Sequence, residues 1–186
     1  SYDVLFAKQV ISNGINAIFR AAEEGGEPLH THIVMVPSLL DAHHECVYPQ
    51  PPFGSRNKEQ RIKVPWQEEE IGFLNIDNSE DSDPAKRVHL MPNPCMFRVN
   101  EVLFGCTTND ILFNLTQDKV MEKVGSPIER NIGHLLQQHS FSPQFPAPPS
   151  ALAQQDLRHM KHWTMQRSPD VLLLPSKLGT NGNIST

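Results

Sequence analysis

The sequence predicts a mixed α/β fold, and three observations carry that prediction. Apolar side chains recur at three- and four-residue spacing over residues 3–24, which is the period of an amphipathic helix. Continuous apolar runs at 33–36 and 171–174 each stop at a proline, which is typical of strands buried on both faces of a parallel sheet. Polar and apolar residues alternate around Asn100-Glu101, which indicates two antiparallel strands joined by a tight turn. At 186 residues the chain is long enough for one domain with a core.

In the first half of the chain, the helix at 3–24 ends at Gly25-Gly26 and precedes the first buried strand. The two elements form half of a βαβ unit. Prolines exclude regular structure from 38–53, which we interpret as an ordered loop at the carboxyl end of that strand. Residues 56–87 combine acidic runs with few apolar side chains, so we expect a mobile insertion there.

In the second half, Ser126-Pro127-Ile128-Glu129 is a capping box with proline at the first helical position. It predicts a helix over 127–139, which several prolines then end. A shorter helix should follow from 150 to about 162, and the second buried strand covers 170–175. The tail at 179–186 has no periodicity and is expected to be frayed.

Composition narrows the class of protein. The net charge is -5 and the pI about 6.0, so no overall positive field attracts a polyanion, and we expect little or no direct DNA binding. The three cysteines are odd in number and widely spaced, which fits a reducing compartment better than a disulfide framework. No apolar run approaches the roughly 20 residues that span a bilayer, so the expectation is a soluble intracellular protein without a membrane partner.

Histidines are the residues most suggestive of a metal. His30 and His32 share one face of a strand, His159 and His162 are three apart on the helix predicted from 150 to about 162, and Asp41-Ala42-His43-His44 follows a strand. Solvated surface histidines explain the first two groups better than ligation does. The third group lies where sites in open α/β sheets usually form, and it is the strongest of the three. No nucleophile elbow or glycine-rich phosphate loop is present.

Several segments together match one known family. Val-Pro-Ser-Leu-Leu-Asp-Ala-His-His at 36–44 and Val-Tyr-Pro-Gln-Pro-Pro-Phe at 47–53 are long and chemically unusual. Further agreement is found at 93–95, 99–105, 107–113 and 169–176. With these motifs the chain resembles the accessory B subunits of DNA polymerase alpha. The resemblance fails over roughly 56–87 and after Leu178.

The resemblance implies a calcineurin-like phosphoesterase fold, in which two packed β-sheets are flanked by helices. Residues 1–178 would form the C-terminal part of that domain, with the mobile acidic insertion at about 56–87 and a frayed tail at 179–186. The earlier strands, with the first aspartate-bearing motifs, would lie upstream of Ser1. The sequence is therefore expected to be a partial domain.

The resemblance also implies that the metal site has degenerated. The superfamily's Gly-Asn-His-Asp motif would fall on residues 38–41, where Leu39 and Leu40 replace the ligands. Its Gly-His-x-His motif would fall on 175–178, where Ser176 and Leu178 replace both histidines. A third motif, a histidine followed by prolines, is matched only accidentally by His139. Two-metal catalysis needs a full ligand cage, so no catalytic residue, metal or cofactor is expected.

Together with these replacements, the resemblance implies a non-catalytic scaffold in the nucleus that supports initiation of DNA replication. Its partners would be the catalytic subunit of DNA polymerase alpha and, through that subunit, primase. One alternative is an active metal-dependent phosphoesterase that uses Asp41, His43 and His44. Another is the small subunit of a different replicative polymerase, against which the segment at 47–53 argues.

A rigid, proline-rich segment is the candidate partner contact, because it loses little entropy on binding. The alternative is that it packs on its own domain. The segment comprises Tyr48, Pro49, Gln50, Pro51, Pro52 and Phe53.

Overall fold

The computed structural model describes residues 13–25, 32–41, 44, 46–55, 73–74, 88–117, 126–146 and 154–178. The chain divides into two compact units. The first comprises Ser1–Glu45 and Pro51–Pro92, and the second comprises Cys46–Gln50 and Asn93–Thr186. Within the described residues, no helix has the length and apolar character needed to cross a membrane.

The first unit contains one described helix and two short parallel strand pairs. Helix α1 covers Asn13–Glu24, and strand β1, Ile33–Met35, pairs in parallel with β4, Val88–Leu90. Strand β2, Gly54–Ser55, pairs in parallel with β3, Phe73–Leu74.

The second unit is built on a three-stranded sheet. Strands β5, Cys95–Val99, and β6, Val102–Cys106, form an antiparallel hairpin, and β7, Val171–Leu173, runs parallel to β6 on its other side. Helices α2, Ile111–Gln117, and α3, Pro127–Gln137, follow the hairpin, and a 3₁₀ helix covers Leu157–Trp163. The most deeply buried apolar side chains of this unit are Tyr48, Ile111, Leu135, Phe141, Trp163 and Met165.

Local chemistry explains the hairpin and the second of these helices. Asn100 takes the positive φ of 53° that the tight turn requires, and asparagine tolerates this conformation well. Glu101 has no positive φ, so its place in the turn causes no strain. Helix α3 begins after Ser126, whose hydroxyl accepts a hydrogen bond from the Glu129 amide at 3.5 Å.

Most predicted elements are confirmed. The chain is mixed α/β, the hairpin forms, and α3 starts where the capping box placed it. Helix α1 covers the second half of the predicted 3–24 helix, and residues 3–12 lie outside the described residues. The calcineurin-like arrangement of two packed sheets stays a prediction. So do the mobility of 56–87 and of 179–186, since the described residues between 56 and 87 are limited to 73–74, which form β3.

Two predictions are wrong in detail. The apolar runs do form parallel strands, but they are not buried on both faces, because Val34 is 37% exposed and Leu173 is 45% exposed. Among the described residues β1 pairs only with β4 and β7 lies at an edge of its sheet, so neither strand has a described neighbour on both sides. Residues 150–153 of the helix expected over 150–162 lie outside the described residues. The rest forms a 3₁₀ helix that starts at Leu157, because extended Asp156 accepts a hydrogen bond from the Arg158 amide and caps it.

Candidate functional site

The turn that follows β1 holds the first pair of predicted degenerate metal positions, Leu39 and Leu40. The Ser38 amide donates to Asp41 Oδ2 at 2.7 Å, and the Asp41 amide donates to the Ser38 carbonyl at 3.0 Å. Ser38 Oγ accepts from the Leu40 amide at 3.2 Å. Leu40 is 81% exposed. The turn is therefore closed by Asp41, and the side chains of the two leucines offer no atom that binds a cation.

The second pair, Ser176 and Leu178, lies in the turn after β7. Ser176 Oγ donates to Asp110 Oδ1 at 2.6 Å, and the Lys177 amide donates to Asp110 Oδ2 at 2.7 Å. Ser176 Oγ also accepts from the Leu178 amide at 3.2 Å. Asp110 Oδ1 takes a further hydrogen bond from the Phe113 amide at 3.1 Å, in the first turn of α2. Both carboxylate oxygens are thus bound by donors of the chain itself.

Sequence reasoning missed Asp110, although a signal for it exists. Strands β6 and β7 are parallel, and the Thr107 amide bonds the Leu173 carbonyl at 3.3 Å, so their carboxyl ends meet at one edge. An aspartate directly before a helix is a common helix N-cap. The two facts together place Asp110 beside the segment that follows β7.

Tyr48 is a core residue of the second unit. Its side chain is 0% exposed and stacks on Trp163, with ring centroids 5.5 Å apart. Its hydroxyl lies 3.4 Å from Thr107 Oγ1. Its amide donates to the Gln154 carbonyl at 2.6 Å, and its carbonyl accepts from the Asp156 amide at 2.8 Å. Burial raises the pKa of Tyr48 well above its usual range, so the hydroxyl stays protonated.

Gln50 is held by Asn93 in a buried polar network. Their backbones exchange two hydrogen bonds of 2.7 and 3.0 Å, and Asn93 Nδ2 donates to Gln50 Oε1 at 2.8 Å. Asn93 Oδ1 accepts from Thr107 Oγ1 at 3.0 Å and from the Thr108 amide at 3.1 Å. The side-chain carboxamide of Asn93 thereby links residues that precede β5 to residues that follow β6. Asn93 is a structural residue that sequence reasoning did not single out, although it lies within a matched motif.

The candidate partner segment therefore has two kinds of residue. Tyr48 and Gln50 are buried within the chain and serve its stability, whereas Pro51 and Pro52 are exposed. Pro49 and Phe53 are half-buried. The contact prediction now rests on the exposed prolines.

The histidines do not assemble into a metal centre in the described part of the chain. His32 Nδ1 and His89 Nε2 are 2.9 Å apart, and the His44 ring packs edge-on against Phe53. His159 and His162 lie on the 3₁₀ helix and are exposed. Among the described residues no group of three or more histidine, cysteine or acidic side chains could hold a metal ion. His30 and His43 lie outside the described residues, and His139, exposed with a φ of 49°, contacts Ser168 Oγ at 3.5 Å.

Comparison with known proteins decides the family. The model of the DNA polymerase alpha/epsilon B-subunit family matches residues 10–182. The chain belongs to this family. The resemblance noted from the sequence motifs is thus confirmed.

Several members of the DNA polymerase alpha/epsilon B-subunit family are similar to the chain. The DNA polymerase alpha B subunit of Bos taurus is 31% identical over 174 residues, which are 89% of this chain and 25% of that protein. The Mus musculus protein of the same name is 31% identical over 161 residues, 86% of this chain and 23% of that protein. The Schizosaccharomyces pombe protein is 38% identical over 96 residues, 47% of this chain and 16% of that protein. The chain spans about a quarter of the length of the first two relatives.

Proposed function

We propose that the chain is part of a non-catalytic accessory subunit of DNA polymerase alpha, a scaffold that supports initiation of DNA replication in the nucleus. Family membership and the names of the relatives support a role in replication. Those names also favour the alpha over the epsilon branch of the family. The partners of the scaffold are the catalytic subunit of DNA polymerase alpha and, through it, primase.

The proposal that the subunit has no catalytic activity rests on the residues found in the turns after two strands, β1 and β7. If the fold is calcineurin-like, metal ligands belong in the turns after β1 and β7. Leu39 and Leu40 occupy the first turn, and in the second turn the Ser176 hydroxyl donates a hydrogen bond to Asp110. Lowering the pKa of a bound water and neutralising a phosphate both require cations held by several oxygen or imidazole ligands. Neither turn provides them.

Hydrolysis and metal content of the full-length subunit test this part. We expect no stoichiometric manganese after purification and no manganese-dependent hydrolysis of a generic phosphodiester above a blank. The control is Asp41→Asn together with His43→Ala, which removes two ligands of the alternative phosphoesterase. Turnover that survives repurification and disappears in this double variant would establish an enzyme and contradict the scaffold.

Co-purification with the catalytic subunit tests the scaffold itself. The two proteins should form a stable complex, and chelation of divalent metals should leave the fold of the accessory subunit unchanged. Pro51→Ala with Pro52→Ala should weaken the complex without lowering the melting temperature if the exposed prolines contact the partner. Tyr48→Ala should instead lower the melting temperature. If the two intact proteins fail to associate both with and without divalent metals, the scaffold role is excluded.

A further inference from the structure

A groove in the second unit runs between the edge strand β5 and residues 161–167. Its volume is about 710 Å³, and Leu103 and the nearly buried Phe141 are among the residues that line it. Phe141 packs against the sheet on the face of Gly105, where an added Cβ would lie 3.2 Å from the Phe141 ring. The groove therefore has a mixed lining, in which apolar residues such as Met96 and Leu103 lie beside polar and basic residues such as Thr164 and Arg167, and β5 forms one wall.

The rim of the groove is basic, which is unusual in a chain with a net charge of -5. Arg98, Lys161 and Arg167 line it and are exposed, and His162 lies beside them. None of these three cationic side chains forms a salt bridge or a side-chain hydrogen bond within the described part of the chain. Of the described residues that line the groove, none is acidic. Three cationic side chains therefore line the groove, and no described acidic residue lines it with them.

The strand wall has backbone groups that point away from the hairpin. The backbones of Leu103, in β6, and Thr107, just after it, face β7. Leu103 exchanges hydrogen bonds with Asp170, and the Thr107 amide donates to the Leu173 carbonyl. The residues of β6 that alternate with these, such as Phe104 and Cys106, therefore direct their backbone groups toward β5. Their partners in β5 alternate with Met96 and Arg98, whose backbone groups are directed away from the hairpin. No strand among the described residues pairs with that edge. An exposed edge of this kind is a template for another extended chain.

The opposite wall is held in place by buried anchors. Trp163 and Met165 are 4% and 1% exposed, and the Phe141 amide donates to the Trp163 carbonyl at 2.8 Å. The Met165 amide donates to the His139 carbonyl at 2.7 Å. Lys161 and Arg167 flank these two anchors in sequence, so the backbones of the two cationic residues are held in place before any ligand binds. Preorganised walls reduce the entropy lost on binding.

We infer that this groove binds an extended acidic segment of a partner protein, which adds as a strand to the free edge of β5. The backbone of the segment would pair with Met96 and Arg98. Alternate residues of a strand share one face, so acidic residues at every second position would all meet the basic rim. Phosphates of single-stranded nucleic acid are the less favoured ligand, because Phe97, the aromatic residue of this strand, is already stacked on Phe104 with centroids 5.3 Å apart.

A labelled synthetic peptide tests the inference on the full-length protein by fluorescence anisotropy. The probe alternates glutamate and valine over about nine residues, enough to cover β5 at about 3.3 Å per residue. Its control replaces every glutamate by glutamine. We expect the acidic peptide to bind at least about 10-fold more tightly than the neutral one, with the difference shrinking as salt rises.

Charge reversal locates the binding surface. Lys161→Glu with Arg167→Glu should weaken binding of the acidic peptide by about 10-fold or more. The matched control, Arg130→Glu with Lys177→Glu, changes the net charge equally at positions outside the groove and should leave most of the affinity intact. Equal losses in both double variants would overturn the inference, since they would show attraction by net charge alone.

Amide hydrogen exchange distinguishes strand addition from loose electrostatic capture. The Met96 and Arg98 amides should exchange fast in the free protein and become protected by the acidic peptide. Binding that leaves both amides unprotected would contradict strand addition. Tighter binding of a short poly-dT oligonucleotide, lost in the same Lys161 and Arg167 variant, would reassign the groove to nucleic acid. The synthetic probe makes these outcomes independent of whether the proposed scaffold role is correct.

Discussion

The Ser176 hydroxyl donates a hydrogen bond to Asp110 Oδ1 across the carboxyl ends of two parallel strands, at a distance of 2.6 Å. The residues are 66 positions apart in sequence. The same carboxylate accepts from the Lys177 amide and caps the first turn of α2. This edge of the sheet therefore closes on itself through protein hydrogen bonds.

Replacing Asp110 should destabilise the second unit. Asp110→Ala removes a helix cap and two further hydrogen bonds, and we expect a loss of about 2–3 kcal/mol in the free energy of unfolding. Ser176→Ala removes a single bond and should cost about 1 kcal/mol. Urea denaturation of both variants and of the double variant measures the coupling. Strict additivity would show that Ser176 and Asp110 do not interact in solution.

Local sequence patterns predicted what local chemistry determines. The hairpin at Asn100 and the start of α3 at Ser126 depend on one turn residue and one cap, and both were predicted correctly. The Asp110 and Asn93 networks depend on contacts between segments far apart in sequence, so no local pattern contains them. Full burial of the apolar strands was predicted wrongly because burial depends on how many strands lie alongside, which hydrophobicity alone does not specify. The helix predicted from 150 begins only at Leu157 in the described residues, because Asp156 is extended and caps it there.

Truncation of Tyr48 should affect stability far more than loss of its hydroxyl. Tyr48→Ala leaves a cavity beside Trp163 and should cost about 3–5 kcal/mol in the free energy of unfolding. Tyr48→Phe keeps the stacked ring and removes only the long contact to Thr107, so it should cost about 1 kcal/mol or less. Thermal or urea unfolding of the two variants provides the comparison. Similar losses in both would mean that the hydroxyl, not ring burial, is the main contribution.

The Asp156 carboxylate should titrate at unusually low pH. Its hydrogen bonds with the Arg158 side chain, at 2.9 and 2.7 Å, lower its pKa from 3.8 to about 2. Because the folded pKa lies below the unfolded one, this pair stabilises the fold fully above about pH 4 and ceases to do so as pH falls through about 2. Carbon-13 NMR of the carboxyl group measures the midpoint. Arg158→Gln should move it back toward 3.8, and an unchanged midpoint in that variant would exclude Arg158 as the cause.

The two cysteines of the hairpin should differ in reactivity. Cys95 and Cys106 are direct partners across β5 and β6, which brings the two thiols together for a hydrogen bond. That bond lowers the pKa of Cys106 and raises the pKa of Cys95, and Cys95 is also the more buried. Since the thiolate is the nucleophile, iodoacetamide at neutral pH should alkylate Cys106 faster than Cys95, with exposed Cys46 as an internal reference.

Removing the Cys95 thiol separates hydrogen bonding from exposure as the reason for that difference. In Cys95→Ala the Cys106 sulfur loses its hydrogen bond, while partial burial, which raises the pKa of Cys106, remains. The pH at which Cys106 reacts at half its maximal rate should therefore rise, and its rate at neutral pH should fall. Cys46→Ala is the matched control and should leave the Cys106 profile unchanged. If Cys95→Ala instead speeds the alkylation of Cys106, access to the sulfur controls its reactivity, and the hydrogen bond across the strands does not.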